Sequence, residues 1–188
     1  MNNTTTTTKI SPNLIRNPGA ESGFDHWIQV GDAPVLIDFN GSFHLGYYPH
    51  SANHCFVGGY TKVGLQSILR QSIELLRVPL NLTKEQIDSG ELQVTISFYY
   101  QTWFPSNGTA DDVEVDVVFL TTSSIVIGRV RTGKLICRQS QLDWCYYMDS
   151  YPLPSTTRLI YYMMIFSKND ELDPSIDVYM DDHSLKIL

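Results

Sequence analysis

Carboxylates, histidines and aromatic rings are the residues of this chain with the means to do chemistry. Acids stand in adjacent pairs at Asp111-Asp112 and Asp181-Asp182, with Glu114 and Asp116 at alternate positions beyond the first pair. Two carboxylates facing each other across a cleft could run acid/base hydrolysis of a glycosidic bond. Acids beside turn carbonyls could instead hold a hard cation such as Ca²⁺, which takes about six to eight oxygen ligands. Glu114 and Asp116 read as solvated charges at a strand edge. The histidines, His26, His44, His50, His54 and His183, fall into no HExxH string, and neither a G-x-S-x-G elbow nor a phosphate-cradling G-x-x-x-x-G-K-[ST] loop occurs. His44, His50 and His54 with Cys55 lack the paired short spacings of a zinc site and read as loop histidines at a surface. Cys145, beside Trp144 and Asp143, reads as a packed apolar side chain rather than a nucleophile. The expectation is a protein that is not an enzyme.

The elements that must position these residues are strands. Apolar residues recur with period two, and β-branched and aromatic residues are frequent throughout. From Glu91 to Trp103, Leu92, Val94, Ile96, Phe98 and Tyr100 share one face, and Gln93, Thr95, Ser97, Tyr99, Gln101 and Trp103 the other. One face is core and the other meets water or a ligand. Val113, Val115, Val117 and Phe119 alternate in the same way before a turn at Thr121 to Ser124. They are expected to pair with the preceding strand through a hairpin tipped by Phe104-Pro105-Ser106-Asn107-Gly108. Further strands are expected at 14–16, 27–30, 35–39, 55–57, 125–132, 157–166 and 176–188. Residues 64–76 fit a helix or a strand by periodicity alone. Thr83-Lys84-Glu85-Gln86 has capping-box form and predicts one helical turn ended by Gly90. Strand 158–166 is apolar on both faces, so it is either central and covered or carries an oligomer contact. The fold class is all-β: a two-sheet antiparallel β-sandwich of the jelly-roll kind.

Length and composition bound the rest. The chain has 188 residues, 43% apolar and 18% charged, which suits one domain. A Thr-rich tail over 1–12 has nothing to bury, leaving 13–188 as the folded unit. The formal charge is −7, and no run of four basic residues occurs, so nucleic acid is excluded as a partner. No apolar stretch approaches the roughly 20 residues of a membrane span. The N-terminus lacks an apolar signal core, and Cys55, Cys137 and Cys145 are an odd set. The expectation is therefore reduced thiols in the cytoplasm, with any export by a non-classical route. Sequons at Asn81 and Asn107 matter only in a secretory pathway.

Asn13-Leu14-Ile15-Arg16-Asn17-Pro18-Gly19-Ala20-Glu21-Ser22-Gly23, followed by Trp27 and Gly31, resembles the opening of the galactose-binding-like jelly rolls, which include carbohydrate-binding modules and slime-mould haemagglutinin-type domains. Val178-Tyr179-Met180-Asp181-Asp182-His183-Ser184-Leu185 resembles their closing strand. Phe56-Val57-Gly58-Gly59, then Leu69 to Leu75, then Ile87-Asp88-Ser89-Gly90 are similar to three intermediate signposts in the same order, and they read 69–76 as a strand. The resemblance covers about residues 13–188. It implies one structural Ca²⁺ held by Glu21 and Asp181, with backbone carbonyls completing the shell. It departs at His183, where the group has an apolar or small residue, and at Gly46-Tyr47-Tyr48-Pro49-His50, which has no counterpart. Ligand-contact residues therefore do not carry over.

Sugar recognition needs a flat ring for the apolar face of the sugar and nearby polar groups for its hydroxyls. Trp103 with Tyr99 and Gln101, Tyr47 and Tyr48 in the long loop, and Trp144 with Tyr146 are the candidates; Trp27 is assigned to the core. The expected function is non-catalytic glycan binding of the lectin or haemagglutinin kind, stiffened by calcium, with self-association through strand 158–166 as a route to avidity. The alternative is a protein-interaction or structural module on the same scaffold.

Overall fold

The computed structural model of the protein describes residues 11–61, 64–77, 82–104, 109–138, 143–170 and 174–188. Ten strands follow in order: β1 Ile28–Gln29, β2 Leu36–Phe39, β3 His54–Tyr60, β4 Gln66–Glu74, β5 Gln93–Thr102, β6 Asp112–Leu120, β7 Val126–Arg131, β8 Cys145–Pro152, β9 Leu159–Ser167 and β10 Ser175–Ile187. They make two five-stranded antiparallel sheets, one ordered β1-β4-β9-β6-β7 and the other β2-β3-β10-β5-β8. One helical turn, α1 Lys84–Asp88, interrupts the chain.

The period-two pattern decides what lies between the sheets. Val94, Ile96 and Phe98 of β5 meet Val113, Val115 and Val117 of β6, and Ile160, Tyr162, Met164 and Phe166 of β9, in one buried cluster that also contains Trp27. Full burial of each such side chain is worth about 1.5–3 kcal/mol. The capping box is realised: Thr83 accepts from the Gln86 amide, and the Gln86 side chain accepts from the Thr83 amide.

Several expectations are corrected. The segment 14–16 forms no strand; it is held to β10 by the Leu14 amide donating to the Leu185 carbonyl. The strands β5 and β6 do not pair as a hairpin. They lie in opposite sheets, so the chain crosses the sandwich between them; of the expected tip, residues 105–108 are outside those described. An alternating strand fixes which face is buried but not which neighbour it pairs with. β8 has no counterpart among the expected strands, because its residues are mixed in polarity and mostly exposed. Asp116 is no solvated edge charge: β6 lies between β9 and β7, and Asp116 is fully buried between Arg129 and Arg131. β9 is central, its outer face half-buried, with the Arg70 guanidinium 4.6 Å above the Tyr161 ring. The all-reduced reading of the thiols is also corrected. Cys137 and Cys145, their Cα atoms 5.6 Å apart, form a disulfide, and Cys55 is free and buried. The cytoplasmic expectation loses the support of reduced thiols. The sequon asparagines Asn81 and Asn107 lie outside the described residues.

One irregularity positions the candidate site. The register of β10 against β5 shifts between Asp181 and Ser184, and Asp182 has φ 49°. Upstream, Val178 and Met180 point into the core; downstream, His183, Leu185 and Ile187 do. The extra residue of this bulge turns two consecutive acids, Asp181 and Asp182, toward the same loop.

Candidate functional site

That loop, residues 40–53, folds back over the outer face of the second sheet and is fastened at both ends by carboxylates. At its start Asp38 accepts from the Gly41 amide at 2.8 Å, the Ser42 hydroxyl at 3.0 Å and the Phe43 amide at 2.5 Å. At its end Asp181 Oδ2 accepts from the His50 and Ser51 amides at 2.9 and 3.1 Å. Asp182 takes the His50 ring at 2.6 Å and the Ser51 hydroxyl at 2.7 Å. Glu21 Oε1 accepts from the Asn53 and His54 amides at 3.0 and 2.7 Å, and Oε2 meets the His54 ring at 3.0 Å.

Beneath the loop lies a second aromatic cluster. The His44 ring stacks on Trp103 at 4.9 Å and 5°, and its Nδ1 is 2.7 Å from the Tyr179 hydroxyl. Tyr47 stacks on Tyr179 at 5.6 Å. Tyr47 and Gln101 are thereby buried and present no surface to a ligand; burial pushes the Tyr47 hydroxyl above its usual range. Trp103, another of the candidates, is half-buried under His44. Each aromatic the loop places on this face takes up sheet area that a sugar would otherwise use.

What stays open is a ridge where the loop meets β5 and β8. His50 stacks on Tyr99 at 3.5 Å, and Tyr99 lies 4.8 Å from Tyr146. The Trp144 indole, 6.0 Å from the His50 ring, donates to the Tyr48 carbonyl at 3.1 Å. Tyr48 and Tyr146 are 57% and 52% exposed, enough to offer ring faces to solvent. The His50–Asp182 pair and the Ser51 hydroxyl flank them. Apolar faces beside fixed hydrogen-bonding groups suit a partner with C–H faces and hydroxyls. The aromatic half of this ridge is legible in sequence. His50 and Asp182 are not, because only the bulge and the loop closure bring them together.

Glu21 and Asp181, 160 positions apart, meet the same short stretch, 50–54. Asp181 is fully buried, and among the described residues no basic side chain pairs with it. Burial, and next the neighbouring Asp182, push its carboxyl up to about 8 against three amide hydrogen bonds. At Glu21, burial works to raise the carboxyl, but the hydrogen bonds from His54 and Asn53 outweigh it and hold it below the usual carboxylate range. A cation beside Asp181 would offset the charge that ionisation of this buried carboxyl creates. The described residues contain no group of three or more His, Cys, Asp or Glu side chains that could hold a metal, so such a shell would have to draw on backbone carbonyls. The Asp111-Asp112 pair makes no cleft. Both are buried; Asp111 accepts from the Asn169 and Asp177 amides, and Asp112 pairs with Lys134.

No family model matches the sequence, and no curated protein does. Solved structures match over nearly the whole chain. The enzymatically active domain of the bacteriophage CBA120 tailspike protein 4 matches with a TM-score of 0.59 at 12% identity, covering 94% of this chain and 21% of that one. The N-terminal CBM22-1–CBM22-2 tandem of Paenibacillus barcinonensis Xyn10C matches with a TM-score of 0.52 at 13% identity, over 97% of this chain and 48% of that one. The fold they share is the two-sheet antiparallel jelly-roll β-sandwich. The arabinose-bound MgGH51 α-L-arabinofuranosidase shares it at a TM-score of 0.50 and 10% identity, over 93% of this chain and 26% of that one. The jelly roll thus spans about a fifth to a half of these proteins. At such identities the likeness is one of fold.

Proposed function

We propose that this jelly roll is a non-catalytic glycan-binding module whose ligand lies along Tyr48, Tyr99, Trp144 and Tyr146, with His50, Ser51 and Asp182 meeting its hydroxyls. The observation that carries the reading is the exposed rings of Tyr48 and Tyr146, with half-buried Tyr99 beside Tyr146, next to the hydrogen-bonded His50–Asp182 pair. The arabinose-bound fold-mate lends it support. The non-catalytic half is supported by the engagement of Asp111 and Asp112 in hydrogen bonds away from any shared cleft.

The proposal includes a calcium ion at Asp181, with Glu21 the second acid on the same loop end. A bound cation would lower the desolvation cost of Asp181 and tie the first turn to the last strand, adding its binding energy to folding. Self-association would add avidity, and light scattering measures it. The deciding experiment is a glycan array run with calcium and with chelator, on the wild type and on Tyr146→Ala. The expected result is binding to a defined set of glycans that Tyr146→Ala abolishes. Silence across the array, with a protein recovered by pull-down, would overturn it in favour of a protein-interaction module.

A further inference from the structure

A second recess lies on the other sheet, away from the aromatic ridge. It is a cleft of about 330 Å³ at the β1–β4 edge, closed on one side by residues 14–16. Leu14 and Ile73, both buried, give it an apolar floor, and Ile28, 51% exposed, an apolar rim. Arg16 and Arg77 also line it. Arg77 pairs with Glu74 at 3.0 Å, but both side chains are largely in water, so that pair is weak and open to competition. Arg16 makes no ion pair among the described residues, which leaves one uncompensated guanidinium in the recess of a chain whose formal charge is −7. Its backbone is held in place from both sides: the Arg16 amide donates to Gln71 Oε1, and Gln71 Nε2 donates to the Arg16 carbonyl, each at 2.9 Å.

We infer that this cleft binds an acidic sugar residue, a pyranose ring carrying a carboxylate. A guanidinium presents paired donors that match a carboxylate in two parallel hydrogen bonds, and the Gln71 clamp fixes the direction from which Arg16 reaches. The volume lies at the low end of the roughly 300–1,000 Å³ of ligand pockets, which suits one ring rather than a chain of them. The floor and rim meet the C–H face of such a ring, while the exposed Ser72 hydroxyl and the Glu74 carboxylate are placed to meet its hydroxyls. The inference does not depend on the ridge: the two sites sit on different sheets and select by different chemistry.

The test is an amide-resolved NMR titration of the intact chain with sodium glucuronate, against methyl glucoside and sodium acetate as controls. Glucuronate is expected to shift the resonances of residues 14–16, 26–28 and 71–77, with methyl glucoside and acetate each much weaker. Arg16→Gln, which removes a guanidinium that makes no ion pair among the described residues, is expected to weaken glucuronate roughly 10-fold or more, and raised salt to weaken the wild type. Tyr146→Ala is expected to leave this titration unchanged, so failure of the glycan ridge and failure of the cleft are separable. No shift in the cleft, an equal response to methyl glucoside, or an Arg16→Gln titration identical to wild type would overturn the inference. Equal responses to acetate and glucuronate would overturn its sugar component.

Discussion

The buried carboxylate of Asp181 gives the sharpest prediction, because its consequence depends on whether a cation is present. Its pKa stands at about 8 in the folded chain against 3.8 when unperturbed. A carboxyl raised by folding contributes stability below pH 3.8 that is lost as pH climbs toward 8. At about 1.4 kcal/mol per unit, the loss by pH 8 is on the order of 5 kcal/mol. Asp181→Asn removes the ionisation. Its carbonyl can keep the His50 and Ser51 amides, while its NH₂ faces the Asp182 amide, a pH-independent cost of about 1–3 kcal/mol. Denaturant unfolding of both proteins should be followed from pH 5 to pH 8 in chelator and in excess calcium. In chelator the variant should gain on wild type as pH rises. In calcium the wild type should recover, by about 2.7 kcal/mol at a hundredfold excess over Kd, or roughly 5–10 °C in Tm for a domain of this size; the variant should not. A wild-type-minus-variant difference that is flat with pH in chelator would refute the buried-charge reasoning. A wild type indifferent to calcium would refute the cation.

Four further outcomes follow from the same contacts. Gly19→Ala places a methyl carbon 2.6 Å from Asp181 Oδ1; a loss of about 1–3 kcal/mol, together with any calcium response, is expected in thermal melts. His183 is fully buried against Phe98, its Nδ1 2.8 Å from the Tyr162 hydroxyl, and burial lowers its pKa to about 3 from 6.5. Its contribution is complete above pH 6.5 and lost as pH falls toward 3, so His183→Phe should flatten the acid limb of the stability curve. Tyr47→Ala should cost about 3–5 kcal/mol, whereas Tyr48→Ala should leave stability within about 0.5 kcal/mol and weaken glycan binding; melts and array signal separate the two. Replacing Cys137 and Cys145 with Ser opens a loop of sequence separation 8 and should cost about 2–3 kcal/mol by denaturant titration.

Much of the sandwich is legible because burial between two sheets forces alternation: the core faces of β5, β6 and β9 and the inward Trp27 can all be read from residue type. Pairing is less legible. The strands β5 and β6 adjoin in sequence and alternate alike, yet they sit in opposite sheets, and no local signal distinguishes a hairpin from a crossover. Asp116 misleads for a related reason: its arginine partners arrive from β7, and only the register of β6 against β7 reveals that a charge at a strand position is matched. At the candidate site, residue type finds the aromatics but cannot sort Tyr48 from Tyr47. Adjacent residues of a loop point to opposite sides once it closes, and here closure buries one ring against Tyr179 and leaves the other in water.

Loop 40–53 therefore has two effects that pull against each other. By covering Trp103, Tyr179 and Gln101 it removes the flat platform that the outward faces of β5 and β10 would otherwise offer, and by stacking His50 on Tyr99 it builds a narrower one beside it. The fastening at the loop end consists of acids from the first turn and the last strand, so whatever holds Glu21 and Asp181 also sets where His50 stands. A cation at Asp181 would on this geometry govern the shape of the ridge as well as the stability of the sandwich. Calcium-dependent glycan binding need not then involve any contact between metal and sugar. If binding at the ridge survives chelator while the melting temperature falls, the hydrogen bonds of the loop suffice to hold His50. If both fall together in wild type, and neither responds to calcium in Asp181→Asn, the metal acts on the ligand surface through the loop.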